Sequence, residues 1–355
     1  MSTLTKPDRI LVVRLGAMGD IIHTLPAAAA LRAAFPDCKL GWIVEERWAE
    51  VLSSPNAARS GALSAERPLV NHIHTVNTKA WRHSMTSPQT WKQIAAVAGE
   101  VRSEKYQIAI DFQGAIRSAL IARVSRTKII YGFDRPREIP ARRFYTNRVI
   151  ARGGHIVEQN ISLAEEVAGR TLTTPQPILP RDEAAEQECE RRLQGMGKFA
   201  LLNPGAGWGA KRWPAERYGL VAKELAKAGI KSFINFGPGE EALAKSVQET
   251  SAGAAEVVAC SITQLIALTR RASLFIGGDT GPMHLAAALG VPVVAIFGPT
   301  DPARNGPFGT ASVVLRSPSS QTSHKRRPQA EEGLLEITSE EVIAAARQLL
   351  EGSRG

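Results

Sequence analysis

Four loops of this 355-residue chain gather side chains able to do chemistry. The first is RLGAMGD, 14–20, in which Gly16 and Gly19 precede Asp20. A carboxylate at a helix start repels a bound phosphate, so if this loop lines a ligand cleft it suits a neutral hydroxyl. Asp20 is equally able to cap the helix, since Asp accepts from the first free N–H groups. His23, one turn on, could orient the same hydroxyl or simply pack. The second loop is LLNPGAGWGAKRWP, 201–214. Glycine and alanine positions expose backbone N–H groups beside Lys211 and Arg212, an arrangement suited to a diphosphate. It is not a GxxxxGK[ST] loop, and a solvated Lys-Arg pair would look the same. The third, FGPGEE at 236–241, offers Glu240 or Glu241 to sugar hydroxyls, or either simply starts a helix, where acids are favoured. The fourth, LFIGGDTGPMHLAAALG at 274–290, is the most specific stretch. There Asp279 could take a hydroxyl pair, the amides around Thr280 and Gly281 would face a phosphate, and His284 lies in the first turn of a helix expected to begin at Pro282. FGPTDP, 297–302, closes the same cleft. None of the eight aspartates has another two positions away, and HExxH is absent. A diphosphate is therefore expected to be held without metal, by Lys211 and helix N-termini.

Each loop follows an apolar run. Strands are expected at 10–13, 40–44, 73–76, 108–111 and 128–132, with helices at 20–35, 46–53, 88–103, 115–124 and 156–168. This alternation implies a parallel sheet covered by helices. The stretch TLTTPQPILP, 171–180, has three prolines and reads as a linker. The rhythm then resumes, with strands at 199–202, 231–236, 256–259, 274–276 and 293–297 and helices at 214–228, 240–250, 262–271 and 282–289. A polar stretch near 317–334 reads as a mobile loop. A helix with a capping-box start at Thr338 or Ser339 ends the chain near Gly352. The fold class is α/β, with domains at 1–170 and 181–355, and ligands are expected beyond the carboxyl ends of the strands.

Hydrophobic residues make up 44% and charged residues 22% of the chain, as in globular proteins. Cys38, Cys189 and Cys260 are scattered without CxxC spacing, which argues against a disulfide framework or a zinc site and fits a reducing cytosol. No signal-peptide pattern or apolar run of membrane-spanning length is present, so a soluble or peripheral protein at the cytoplasmic face is expected. The net charge of +10 is uneven: residues 1–180 hold 24 Lys+Arg against 15 Asp+Glu, and residues 181–355 hold 20 against 19. Residues 115–152 carry ten Lys/Arg against Asp134 and Glu138. An anionic partner for the first half follows, whether nucleic acid, membrane surface or substrate, unless the surface is merely basic. Nucleic-acid binding would explain the charge but not the glycine loops. The first loop does not match GxGxxG, although Glu45, near the end of the second strand, keeps a dinucleotide-binding reading open.

The stretches MGDIIHTLPA, DFQGAIRSAL, KRWP, GGDTGPMHLAAALG and FGPTDPARNGPFG occur in this order between residues 9 and 310. Together they make the sequence resemble the ADP-heptose:lipopolysaccharide heptosyltransferases of glycosyltransferase family 9. The resemblance implies a GT-B fold, two Rossmann-like domains with parallel sheets facing across a cleft, the first for the acceptor and the second for the nucleotide sugar. It implies inverting transfer of heptose from ADP-L-glycero-D-manno-heptose, with neither metal nor other cofactor. The histidine of GDIIHTLPA and the DFQG stretch resemble the type I enzymes, which act on Kdo of Kdo-lipid A. Under this resemblance Asp20 falls on the general base and Lys211 on the lysine that stabilises the leaving diphosphate. Gly205, Ala206, Gly207, Glu240, Asp279, Thr280, Gly281 and His284 fall on the donor side. Gly19, His23, Lys79, Arg82, Gln113, Arg117 and Arg137 fall on the acceptor side. The basic first half fits an anionic acceptor, with peripheral contact to the inner membrane and no nucleic acid. Two departures stand out: Ala206 and Gly207 replace hydroxyl residues often used for the phosphate, and HIVEQNISL, after Gly154, lacks an arginine that some members place there. A type II enzyme or another ADP-sugar transferase is the alternative within the family. A dinucleotide-binding oxidoreductase is the alternative from another class.

Overall fold

The computed structural model describes residues 6–352 apart from 324 and 326. The outermost residues of the two expected domains, and positions 324 and 326 of the expected mobile loop, lie outside the described residues. The chain divides into two compact units, with the division between Arg181 and Asp182. Residues 171–180, just before it, form neither helix nor strand.

In the first unit β1 (Arg9–Val13) leads to α1 (Met18–Ile22), α2 (Leu25–Ala34), β2 (Lys39–Glu45) and a 3-10 turn at Glu46–Val51. There follow β3 (His72–Val76), α3 (Thr78–His83), α4 (Pro88–Ser103), β4 (Ile108–Asp111) and α5 (Ile116–Val124). Then come β5 (Ile129–Phe133), a 3-10 turn at Ile139–Phe144, β6 (Asn147–Val149) and α6 (Ile156–Ala168). The sheet order is β3-β2-β1-β4-β5-β6, all parallel. β1 is buried from Ile10 to Val13, as an unbroken β-branched and Leu run covered on both faces must be.

The second unit repeats the plan. It runs α7 (Glu183–Leu193), β7 (Phe199–Asn203), a 3-10 turn at Gly209–Lys211, α8 (Ala215–Lys227), β8 (Lys231–Asn235), α9 (Glu241–Thr250) and β9 (Ala255–Val258). It continues with α10 (Ile262–Arg271), β10 (Leu274–Gly278), α11 (Gly281–Ala288), β11 (Val293–Phe297), α12 (Pro302–Asn305), β12 (Ser312–Arg316), α13 (Glu332–Glu336) and α14 (Ser339–Gly352). Its parallel sheet is ordered β12-β11-β10-β7-β8-β9. Both sheets therefore have the same order counted from their own first strand. In each the order reverses beside that strand, between β1 and β4 and between β7 and β10. Loops leaving such neighbours run to opposite faces and open a crevice at the carboxyl ends.

The single helix expected at 20–35 is two helices. Pro26 has no N–H to give to the Ile22 carbonyl, and the Thr24 hydroxyl takes the Asp20 carbonyl instead, at 2.9 Å. The segment expected as a helix at 46–53 is the 3-10 turn. α11 starts one residue earlier than expected, placing Pro282 second. α3 was not expected because it buries none of its residues and so shows no apolar period; Asn77 caps it by accepting from the Ala80 N–H at 3.1 Å. The last helix is capped by Thr338 rather than Ser339: its hydroxyl accepts from the Glu341 N–H at 3.2 Å, and its own N–H reaches the Glu341 carboxylate at 2.7 Å. Among the described residues no helix is long and apolar enough to cross a membrane.

Candidate active site

The residues expected to act fall into two groups, one on each unit; Asp20 and Gln113, and Lys211 and Asp279, lie where strand order reverses, whereas Lys79 and Arg82 follow β3, Arg137 follows β5 and Glu240 follows β8. In the first unit Arg14 follows β1 directly, and its buried guanidinium is the main determinant of the loop. Nη1 donates to the Phe112 carbonyl, at the end of β4, and Nη2 pairs with Asp20 Oδ1 at 2.8 Å. Asp20 Oδ2 accepts from the Ala17 N–H at 3.1 Å. Asp20 is thus the third residue of α1, and the N-cap position belongs to Ala17, so Asp20 is not the N-cap that its sequence position allows. The carboxylate is 39% exposed, and each of its oxygens keeps an acceptor site beyond the bond it makes. Gly16 lets the loop close on Trp48: a Cβ there would come within 2.8 Å of the indole.

The DFQG loop after β4 supports this arrangement from below. Asp111 is fully buried. Its Oδ1 accepts from the Gln113 and Gly114 N–H groups at 2.9 and 3.2 Å, and its Oδ2 from the Ser118 and Tyr145 hydroxyls at 2.9 and 2.7 Å. Burial raises the Asp111 carboxyl above the usual range, partly offset by these four donors. Gln113 is buried and its carbonyl oxygen accepts from the Leu15 N–H at 2.8 Å, so it ties the two loops together. Gly114 takes a φ of +67°, and a Cβ there would sit 3.0 Å from the Arg137 nitrogen. The glycine brings the Arg137 segment onto this loop, where the Glu138 N–H donates to the Gly114 carbonyl at 2.9 Å. Arg117 and Arg137 are exposed, as are Lys79 and Arg82 on α3. None of the four has an ion-pair partner among the described residues. Gly19 is half-buried beside Asp20. His23 is packed inside, with its ring edge-on to His155 at 5.6 Å. Glu45, the acid that would serve a dinucleotide ribose, is buried and bound to Thr78, whose hydroxyl and N–H both donate to it.

In the second unit Lys211, after β7, meets Asp279, after the neighbouring β10. Lys211 Nζ lies 2.5 Å from Asp279 Oδ2 and 3.3 Å from the Asp279 carbonyl, while Asp279 Oδ1 lies 3.0 Å from His284 Nε2 in α11. The two charged side chains are 14% and 9% exposed. Burial alone would raise the Asp279 carboxyl; His284 and then Lys211 outweigh it and hold the group well below the usual carboxylate range. Lys211 Nζ also sits 5.0 Å from the centre of the Trp208 ring. Two of its three donors point at Asp279, which leaves one for a ligand. Thr280 precedes α11 and Gly281 opens it, so the positive end of the helix dipole stands beside this lysine.

The glycine loop closes on Glu240. A side chain at Gly205 would run into the Glu240 carboxylate, whose Oε2 accepts from the Gly237 N–H at 2.8 Å and whose Oε1 lies 3.6 Å from Arg212. Glu241 instead opens α9 and is exposed. Arg212 donates twice to the Ala206 carbonyl, at 3.2 and 3.0 Å, fixing the loop through backbone where the side chains at 206 and 207 offer no hydroxyl. Asn203 supports it from β7, giving its amide to the Gly205 carbonyl at 2.9 Å. The stretch near 317–334 also touches this loop, since the Ala210 N–H donates to the Arg327 carbonyl at 3.0 Å.

Two residues of these groups were not singled out from sequence. Arg14 carries a signal, a charge ending an otherwise apolar strand run. Thr300, in the loop after β11, has a buried hydroxyl with no hydrogen-bond partner among the described residues. A hydroxyl with an open bond in a ligand-type loop is a candidate contact, but from sequence it reads as ordinary turn composition.

The chain is similar to proteins of known family and structure. Residues 94–335 match the model of glycosyltransferase family 9 (heptosyltransferase). The lipopolysaccharide heptosyltransferase 1 of Escherichia coli K12 is 30% identical over 315 residues, covering 87% of this chain and 94% of the relative. The solved structure of E. coli heptosyltransferase WaaC with ADP superposes with a TM-score of 0.78 at 27% identity, covering 96% of this chain and 99% of that one. The same enzyme with ADP-2-deoxy-2-fluoro heptose gives 0.74 at 27% identity, over 97% and 99%. The fold class shared with these structures is GT-B.

Proposed function

The chain belongs to glycosyltransferase family 9 and is a glycosyltransferase, and from that premise we propose that it moves heptose from ADP-L-glycero-D-manno-heptose to the Kdo sugar of Kdo-lipid A, by an inverting displacement that uses neither metal nor other cofactor. The observation that carries the reading is the Lys211–Asp279–His284 chain at the strand-order reversal of the second unit, next to the N-terminus of α11. A buried cation held by a buried acid, with one donor left over and a helix dipole alongside, is preorganised for charge that develops on a leaving phosphate. The relatives bound to ADP and to an ADP-heptose analogue support the same donor class.

In this mechanism Asp20 accepts the proton of the acceptor hydroxyl as that oxygen bonds to the anomeric carbon from the face opposite ADP. The bond from that carbon to the phosphate oxygen breaks, and the electron pair leaves on ADP. Lys211 and the amides at Thr280 and Gly281 take up the negative charge. Gly205, Ala206, Gly207 and Glu240 shape the nucleotide-sugar pocket, with Asp279 and His284 orienting Lys211. Gly19 and Gln113 form the acceptor floor with His23 packed behind them, and Lys79, Arg82, Arg117 and Arg137 meet the carboxylates and phosphates of the acceptor. These exposed cations, without ion-pair partners among the described residues, support a peripheral position on the cytoplasmic face of the inner membrane. The test is ADP release with the purified donor and acceptor, with the product anomer read by NMR. The reading expects acceptor-dependent release, unaffected by EDTA, with inverted configuration. Retention of configuration, or activity abolished by EDTA and restored by Mg2+, would refute it.

A further inference from the structure

Away from the reacting groups, the first unit carries a cluster built from an edge strand and the helix over it. His72 and His74 are two apart in β3 and so share one face of the strand. Glu100, in α4, and Glu104, the C-cap of that helix, are four apart and so lie on one side of it. Glu100 Oε1 lies 2.9 Å from His72 Nε2 and 2.6 Å from His74 Nδ1, and one ligand atom from each of these three residues lies within 4.8 Å of the others. The imidazoles stack at 4.0 Å with 22° between their planes, which aims both inner nitrogens at the same carboxylate.

The outer nitrogens are pinned as well. His72 Nδ1 lies 3.2 Å from Glu104 Oε1 and His74 Nε2 lies 2.7 Å from the Tyr106 hydroxyl. Tyr106 reaches that place because Gly41 has no side chain, and a Cβ there would collide with the hydroxyl. Arg9 pairs with the other oxygen of Glu104, committing Glu104 to orientation. Metal-binding histidines are held in this manner, the far nitrogen fixed by a carboxylate or another polar group so that the near one presents its lone pair. Two stacked imidazoles cannot both be protonated without repulsion, whereas a metal requires both to be neutral. His74 is fully buried while Glu100 is 43% exposed, so the near side is open to an entering ion.

We propose that His72 Nε2, His74 Nδ1 and a Glu100 carboxylate oxygen bind one divalent transition-metal ion, with Zn2+ as the first choice, and that the ion fastens α4 to the edge strand β3. Two imidazoles and one carboxylate suit Zn2+ or its neighbours rather than Mg2+ or Ca2+. Tetrahedral zinc places ligand atoms about 3.3 Å apart for bonds near 2.0–2.1 Å, so the two contacts to the Glu100 oxygen, now 2.9 and 2.6 Å, must lengthen by well under an ångström to accept it. His72 opens β3, at the end of the strands opposite to the Asp20 loop, so the role is structural and separate from the metal-free transfer step.

The test is calorimetric titration of the metal-free, full-length protein with ZnCl2, paired with thermal melts. The proposal expects one tight equivalent and a rise in Tm of about 3 °C or more at saturating zinc. E100Q, at an exposed position, and H72N, at a half-buried one, should each weaken binding at least tenfold and abolish the rise, while melting cooperatively without zinc and keeping full transferase activity. H83A should bind like the parent. Absence of stoichiometric binding would leave the cluster as a proton-bridged ion pair and overturn the proposal. Equal binding by E100Q and H72N would overturn it too, since the ion would then sit elsewhere.

Discussion

Asp20 meets Arg14 and the Ala17 N–H in its own unit, and neither blocks its remaining acceptor sites. As a general base it should be worth roughly 100–10,000-fold, so D20A should lose that much in kcat while binding ADP-heptose with unchanged affinity in calorimetry. Substantial residual turnover would leave Asp20 as the structural partner of Arg14 and the Ala17 N–H only. K211A should lower kcat about 100–1000-fold; a change confined to KM would make Lys211 a ground-state contact. Asp279 permits a pH prediction. Its folded pKa is depressed by His284 and Lys211 against the opposing effect of burial. It therefore contributes stability that is present above the unfolded value of about 3.9 and lost as pH falls toward the folded one. The Tm gap between the parent and D279N should be wide at neutral pH and narrow steadily below about pH 4; a gap that stays constant to lower pH would contradict the ion-paired assignment.

At the scale of elements, the KRWP stretch divides its work. Lys211 faces the donor-type loop, whereas Trp213 is core: it is 2% exposed, packs edge-on to Tyr218 at 4.9 Å and donates its indole N–H to the Ile337 carbonyl at 2.9 Å. W213A should cost about 3–5 kcal/mol of stability, measured by urea unfolding, through lost core packing, whereas any loss of stability in K211A would come from stranding Asp279 without its ion pair. The glycine loops and apolar strand runs were legible in sequence because each is a local pattern, and the central strands came out within a residue or two. The pairs that organise the sites were not legible, since Arg14 with Phe112, Gln113 with Leu15 and Lys211 with Asp279 join residues far apart in the chain. The short elements α3 and β12 escaped notice because they bury little. The His72–His74–Glu100 cluster escaped for the same non-local reason: HIH reads as an ordinary strand until α4 is placed over it.

For the whole molecule, the excess positive charge lies in the first unit, and Arg117, Arg137, Lys79 and Arg82 stand on its surface without partners among the described residues. If they meet an anionic acceptor, raising ionic strength from about 0.05 to 0.5 M should raise the acceptor KM severalfold through screening, with a much smaller change in the donor KM. R117A/R137A should reproduce that increase at low salt and flatten the salt dependence; equal sensitivity of donor and acceptor would refute the division of labour between the units. The central claim is heptose transfer from ADP-heptose to Kdo, and mass spectrometry of the lipid product tests it most directly. Purified protein, given ADP-heptose and either Kdo-lipid A or the already heptosylated acceptor, should add one heptosyl residue to Kdo-lipid A and leave the second acceptor unchanged. Extension of the heptosylated acceptor alone would contradict the account.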